Sequence, residues 1–219
     1  MTPRPFDLVI FDCDGVLVDS EPIANRVLCE QLEAAGLSIT PKEVMSRFAG
    51  RTRDGCLALA AGLLGRPLPA GFAQEWDAAL FDALRREVRP VEGVESAIRG
   101  LPIPFCAATN GTRERVRLTL HAAGLLPQFE GRIFCAADVA RPKPAPDLFL
   151  HAAKSMGVSA SKCAVIEDTP TGARAGIAAG MTVFGYAAGT SSTREALEAE
   201  GAKVFEDMTT LATLIGGRQ

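Results

Sequence analysis

The sequence predicts an α/β protein with a Rossmann-like parallel sheet in a three-layer α/β/α core and an inserted all-helical domain. Short apolar runs that favour strands alternate with segments of helical periodicity, a pattern typical of parallel strands joined by helices. Glycine follows several helical segments at the point where a helix would end. One long interval contains helical segments only, which indicates a second domain inserted into the first.

Five segments are predicted strands of the sheet, and each is short, apolar and rich in residues that favour extended backbone. They are residues 8–11, 105–109, 132–135, 163–166 and 181–185. Three helices are predicted between the later strands, and each is followed by a glycine. They are residues 112–123, 147–156 and 172–179.

The long interval between the first two strands carries four predicted helices, separated by glycine and proline breaks. They are residues 23–35, 41–48, 53–64 and 72–86. We therefore predict a core domain of residues 1–16 and 88–219 and a helical domain of residues 17–87.

Composition excludes several classes of function. The chain has 219 residues, of which 47% are hydrophobic, enough for a large buried core. Its formal net charge is -3 and it has no stripe rich in lysine or arginine, so we expect no nucleic-acid partner. No apolar stretch reaches the ~18 residues of a membrane span, and residues 1–5 do not resemble an export signal. We expect a cytoplasmic protein without a membrane partner.

The cysteines give no sign of a disulfide framework or a zinc centre. All 6 are widely spaced without a CxxC pair, and the chain has only 2 histidines, His121 and His151. We expect the cysteines to be reduced and buried as small apolar side chains, and the histidines to be surface residues.

The first candidate motif follows the first predicted strand. Its sequence is FDCDGVLVDS, residues 11–20, and it contains Asp12, Asp14 and Gly15. Ligands of parallel α/β sheets bind where strands end, and glycine lets the backbone turn sharply beside a ligand. Two carboxylates separated by one residue can divide attack and proton transfer between them. Acidic residues are also common in turns, so this motif alone leaves an ordinary turn open.

The second motif, Thr109-Asn110-Gly111, lies at the end of the second predicted strand. The threonine hydroxyl could donate to a phosphoryl oxygen, assisted by backbone N–H groups of the turn. The alternative is that the threonine or asparagine only caps the helix that follows.

The third motif is a single lysine between prolines, Arg141-Pro142-Lys143-Pro144. Prolines stiffen the loop, so Lys143 can hold its ammonium group at a fixed point where charge on a transferring phosphoryl group needs stabilisation. The alternative is a solvated loop lysine.

The fourth motif places Glu167 and Asp168 at the end of another predicted strand. Together with Asp12 and Asp14, these acids would repel one another strongly at adjacent strand ends unless a cation joined them. Oxygen ligands of this kind suit Mg²⁺. The alternative is that Asp168 only caps the next helix.

Taken in order, the four motifs resemble the signature motifs of the haloacid dehalogenase superfamily, over nearly the whole chain. FDCDGVLVDSEP, RPKPAPD and EDTPTG are particularly similar to the β-phosphoglucomutase and phosphoglycolate phosphatase branch. That branch carries a helical cap domain directly after the first motif, at the position of the helical insert. The resemblance implies a Mg²⁺-dependent phosphatase acting on a small phosphorylated metabolite.

The resemblance also implies the roles of the acids. Asp12 is the nucleophile that forms an aspartyl-phosphate, and its other oxygen binds Mg²⁺. Asp14 protonates the leaving alcohol and then deprotonates water, while its backbone carbonyl binds the metal. Asp168 ligates the metal directly, and Glu167 lies in or near the metal shell through water.

Further positions follow from the same resemblance. Thr109 and Lys143 hold the phosphoryl oxygens, with Asn110 and Gly111 beside them as substrate-binding residues. In this branch the cap closes over the core and recognises the rest of the substrate. Residues 48–55 resemble the substrate-contacting cap loop, in which Arg51 or Arg53 could meet a second anionic group. Either could instead be an exposed arginine at a helix start.

The main alternatives are a phosphomutase of the β-phosphoglucomutase type and a non-catalytic phosphate-binding relative. The mutase uses a histidine on the first cap helix where this chain has Ala24, and residues 17–87 contain no histidine. A signalling receiver domain gathers similar acids, but the spacing of Asp12 and Asp14 and the helical insert argue against it. We expect a monomer, because a capped enzyme has less need of a partner to cover its site.

Overall fold

The structure is a computed structural model that describes residues 4–48, 51–189 and 192–216. The chain forms two compact units, one with the residues up to Asp19 and from Arg89 onward, the other comprising Ser20–Val88. Residues 17–19 therefore belong to the first unit, whereas the sequence prediction placed them in the insert. Val18 bridges to both Asp14 and Pro90, and the Asp19 N–H donates to the Arg89 carbonyl at 3.0 Å. These bonds hold the chain together where it leaves and re-enters the core.

The second unit consists of helices. They are α1 Glu21–Ala34, α2 Pro41–Phe48, α3 Arg53–Leu64 and α4 Phe72–Glu87. Helix α1 packs against α2 and α4, and Leu32 and Leu84 are fully buried in this unit. Helix α1 begins two residues before the predicted start at residue 23, because Pro22 fits the first turn of a helix, where no N–H bond is lost.

The first unit contains a six-stranded sheet in the order β3-β2-β1-β4-β5-β6, with every neighbouring pair parallel. The strands are β1 Leu8–Phe11, β2 Phe105–Thr109, β3 Ile133–Cys135, β4 Cys163–Glu167, β5 Thr182–Tyr186 and β6 Lys203–Phe205. The central strand β1 is buried throughout. Since successive side chains of a strand point to opposite faces, β1 contributes to the core on both sides of the sheet.

Helices of the first unit connect the strands. They are α5 Val94–Gly100, α6 Arg113–Ala122, α7 Leu126–Phe129, α8 Asp147–Ser155, α9 Pro170–Ala178, α10 Arg194–Ala199 and α11 Leu211–Gly216. Ile10 of β1 belongs to the same apolar cluster as Phe149 of α8. Phe11 contacts Phe129 of α7 edge to face, with ring centroids 6.3 Å apart. The predicted fold class of the core, a parallel sheet with connecting helices, is confirmed.

Two further expectations concern the cysteines and the membrane. All six cysteines are free and buried, as predicted. Among the helices within the described ranges, none has both the length and the apolar character that crossing a bilayer would require.

Candidate active site

The candidate residues gather where the central strands end. Asp12 directly follows β1, Thr109 ends β2 and Glu167 ends β4. Strand β1 is paired with both β2 and β4. The carboxyl ends of the three parallel strands therefore meet at one edge of the sheet, which is where ligands of such sheets bind.

Lys143 joins two of these strand ends. Its ammonium nitrogen Nζ donates to Oδ1 of Asp12 at 2.6 Å and to Oε1 of Glu167 at 2.8 Å. The side chains of Lys143, Asp12 and Glu167 are only 3%, 11% and 1% exposed. The ammonium group also lies 4.6 Å from the centre of the Phe149 ring. Lys143 is thus a fixed internal cation and not a solvated loop lysine.

Asn110 fixes the loop that carries this lysine. Its amide nitrogen donates to the Lys143 carbonyl at 3.0 Å, and its amide oxygen accepts from the Lys143 N–H at 3.1 Å. The sequence prediction assigned Asn110 to the substrate. In the structure, both ends of its side chain bind the Lys143 backbone, so its contribution is to set the position of the lysine.

The electrostatic balance at the site is negative. Burial raises the pKa of Asp12 to about 7; Lys143 opposes this rise, while Glu167 and Asp14 add to it. Burial disfavours the charged form of Lys143, but the carboxylates of Asp12 and Glu167 outweigh burial and raise its pKa above the usual value. One ammonium group therefore only partly compensates the buried acids.

The acids also offer a place for a cation. Carboxylate oxygens of Asp12, Glu167 and Asp168 lie within 4.8 Å of one another. A set made only of carboxylate oxygens beside a negative charge excess suits Mg²⁺, so the residues present fit the metal that the resemblance implies.

The Glu167 carboxylate already has several hydrogen bonds. Its Oε2 accepts from the N–H groups of Asp168 and Thr169 at 3.0 and 2.9 Å and from the Thr169 hydroxyl at 2.9 Å. A Cβ atom at Gly172 would overlap this carboxylate. Glu167 is therefore held tightly at the start of α9, and among the three acids Asp12 and Asp168 are the better candidates for direct metal ligands.

Thr109, Gly111 and Asp14 come together beside this cluster. The Gly111 N–H donates to the Thr109 hydroxyl oxygen at 3.1 Å, which orients the hydroxyl. A Cβ atom at Gly111 would lie 3.4 Å from that oxygen and 3.7 Å from Oδ2 of Asp14. The Thr109 hydroxyl and Oδ2 of Asp14 therefore both lie close to Gly111, which has no side chain to crowd them.

Asp14 has a partner that the sequence prediction missed. Nη2 of Arg115, in the first turn of α6, donates to Oδ1 of Asp14 at 3.0 Å. Arg113 and Arg117 of the same helix pair with Asp138 and Glu130 instead. Arg113, Arg115 and Arg117 occupy alternate positions, and the sequence does not indicate which of them reaches the site. The choice depends on how α6 packs against the sheet.

Comparison with known proteins decides the family. Residues 6–180 match the family model of haloacid dehalogenase-like hydrolases. The chain belongs to this family. The family predicted from the four motifs is thus confirmed, and the strand ends described above are the candidate active site of a hydrolase.

Relatives of this hydrolase match most of its length. The 6-phosphogluconate phosphatase of Escherichia coli (strain K12) is 33% identical over 186 residues, which is 83% of each chain. A haloacid dehalogenase-like protein of unknown function from Agrobacterium tumefaciens has a solved structure with 37% identity and a TM-score of 0.86, covering 97% of this chain and 98% of that one. A family hydrolase from Deinococcus radiodurans, solved with bound phosphate and sodium, has 34% identity and a TM-score of 0.84, with 99% and 100% covered.

The two predicted specificity arginines of this hydrolase differ in their surroundings. Arg53 donates through Nε to Oδ1 of Asp77 at 3.0 Å and forms a second bond to the same carboxylate through Nη2. Arg51 donates through Nε to the Arg47 carbonyl at 2.7 Å, and within the described chain its two terminal nitrogens have no hydrogen-bond partner. Ala49 and Gly50 of the predicted cap loop lie outside the described residues.

Proposed function

We propose that this hydrolase is a Mg²⁺-dependent phosphatase that removes the phosphoryl group from a small sugar phosphate or phosphorylated acid. The observation that carries the proposal is the buried Lys143 bridging Asp12 and Glu167 at the sheet edge, next to the carboxylate of Asp168. Phosphoryl transfer depends mainly on positioning and charge neutralisation, and this cluster supplies both. The enzyme class, a phosphoric monoester hydrolase, agrees with the phosphatase among its relatives.

The chemistry assigns one carboxylate to attack and another to proton transfer. Asp12 attacks phosphorus, and the bond from phosphorus to the ester oxygen breaks while Asp14 protonates the departing alcohol. Water then attacks the aspartyl-phosphate, and Asp14 takes a proton from that water. Inorganic phosphate leaves and the Asp12 carboxylate is regenerated.

Neighbouring residues hold the phosphoryl group through both steps. The Thr109 hydroxyl and the Lys143 ammonium donate to its oxygens, and Gly111 leaves space for it. Asp12 and Asp168 would hold Mg²⁺ directly, and Glu167 would contribute negative charge close to the metal. When bound, the metal supplies the positive charge that lets an anionic ester approach several carboxylates. Asn110 acts through Lys143 by keeping the loop in place.

The test of this function is phosphate release from a panel of small phosphate esters, including 6-phosphogluconate, with Mg²⁺ and with a chelator. We expect release that requires Mg²⁺ and is absent for Asp12→Asn. Absence of release from every ester by the wild-type enzyme would overturn the proposal in favour of a mutase or a non-catalytic relative.

Substrate preference provides a second prediction, which concerns Arg51 and Arg53. We propose that Arg51 recognises a second anionic group of the substrate, because its guanidinium has two unoccupied nitrogens among the described residues while Arg53 is bound by Asp77. Arg51→Ala is expected to raise KM for 6-phosphogluconate about tenfold, the equivalent of ~1.4 kcal/mol. KM for a phosphate ester without a carboxylate is expected to change little.

Arg53→Ala is the matched control. It removes an exposed ion pair, so we expect little loss of stability and the same ratio of KM values as the wild type. If Arg53→Ala changes that ratio and Arg51→Ala does not, the assignment is reversed.

A further inference from the structure

Arg115, which lies outside the four motifs, forms an ion pair with Asp14 of the first motif. Nη2 of Arg115 is 3.0 Å from Oδ1 of Asp14, and the two side chains are 27% and 28% exposed. Within the described chain, Nε of Arg115 is buried and has no hydrogen-bond partner. The Arg115 guanidinium therefore binds the Asp14 carboxylate. Arg113 and Arg117 on the same helix pair with surface acids instead.

This ion pair restricts the orientation of the Asp14 carboxylate. The backbone turns directly after Asp14, where Gly15 has a φ of 79°, a conformation that glycine adopts without strain. With Oδ1 bound by Arg115, Oδ2 is the oxygen that faces the space beside Gly111 and the Thr109 hydroxyl. In the proposed function, that space receives the phosphoryl group.

We propose that Arg115 is a positioning residue for proton transfer: it holds Asp14 by one oxygen so that the other reaches the oxygen of the leaving alcohol. The inference rests on the proposed role of Asp14. In this arrangement a proton on Oδ2 of Asp14 moves to the ester oxygen as its bond to phosphorus breaks, and Arg115 itself exchanges no proton, since guanidinium stays charged.

Two esters separate this role from a structural one. An alkyl phosphate needs a proton on its leaving oxygen, whereas p-nitrophenyl phosphate releases a stable anion that does not. The ratio kcat/KM reports the steps up to departure of the leaving group, so it isolates the step that Asp14 assists. Correctly placed acids contribute about 10²-fold or more to such steps.

For Arg115→Gln we expect kcat/KM for the best alkyl ester to fall about 10²-fold, with a change of less than about threefold for p-nitrophenyl phosphate. Arg115→Lys, which keeps a cation at this position, is expected to recover part of the loss. Arg117→Gln is the matched control on the same helix and should leave both values unchanged, because Arg117 pairs with the exposed Glu130.

An equal fall for both esters, or no fall for the alkyl ester, would overturn the inference. If Arg115→Gln does not fold, the same comparison is made with Arg115→Lys, for which a selective loss on the alkyl ester supports the inference and an unselective effect contradicts it. Failure of the proposed function has a different signature, namely a wild-type enzyme that releases phosphate from neither ester.

Discussion

Asp12→Asn is expected to be inactive and yet at least as stable as the wild type in metal-free buffer at pH 8. Activity is lost because an amide does not replace the carboxylate that we propose as the nucleophile. Stability is kept because burial raises the pKa of Asp12 to about 7, so keeping this carboxylate ionised in the folded protein is unfavourable even though Lys143 favours the charged form. The substitution removes that unfavourable ionisation.

The pH dependence of this effect has a definite sign. The pKa of Asp12 rises from 3.8 in the unfolded chain to about 7 in the folded protein. Between these values the unfolded chain has released a proton that the folded protein still holds, so the free energy of unfolding of the wild type falls as pH rises. The free energy of unfolding of the wild type stays low above pH 7, and that of Asp12→Asn does not decrease in this way.

Urea unfolding at a series of pH values checks this prediction. The stability advantage of Asp12→Asn is expected to be near zero at pH 3 and to rise to at most about 4 kcal/mol at pH 8. Added Mg²⁺ should stabilise the wild type more than the variant, because the variant has lost a proposed ligand. Asp7→Asn, at an exposed aspartate just before β1, is the control. A variant less stable than the wild type at pH 8 would show that the ion pair with Lys143 outweighs the burial of Asp12.

The central part of the fold could be predicted from the sequence because its signals are local. Strands β1 and β2 have the predicted bounds, since each is an apolar run buried over nearly all of its length. Strand β6 was not predicted. It has three residues, begins with an exposed lysine and acquires its conformation by pairing with β5. Helices α5, α7, α10 and α11 were also missed, because segments of four to seven residues are too short to show a helical period and depend on tertiary packing.

The candidate site was predictable where a residue's place follows from its strand. Asp12, Thr109 and Glu167 follow or end neighbouring parallel strands, so the sheet alone brings them together. The pairing of Arg115 with Asp14 spans 101 positions in the chain and depends on the docking of a helix, which leaves no local pattern. The same holds for the bonds from the Asn110 side chain to the Lys143 backbone, 33 positions apart.

Lys143→Met is expected to act on stability in the opposite direction from Asp12→Asn while also removing most activity. The variant leaves the buried carboxylates of Asp12 and Glu167 without the cation that both contact. Removing one partner of a buried ion pair costs about 3–5 kcal/mol, and losing the proposed donor to the phosphoryl group is expected to lower kcat by about 10³-fold. The measurements are urea unfolding in metal-free buffer and phosphate release with Mg²⁺.

Two further variants make this prediction specific to the buried cluster. Lys154→Met removes an exposed lysine near the end of α8, the helix that also carries Phe149. This control is expected to change neither stability nor activity appreciably. The double variant Asp12→Asn with Lys143→Met should be more stable than Lys143→Met alone, since fewer buried acids then lack a cation. If the change in the free energy of unfolding of the double variant equals the sum of the changes in the two single variants, the lysine and the aspartate are not coupled in the folded protein.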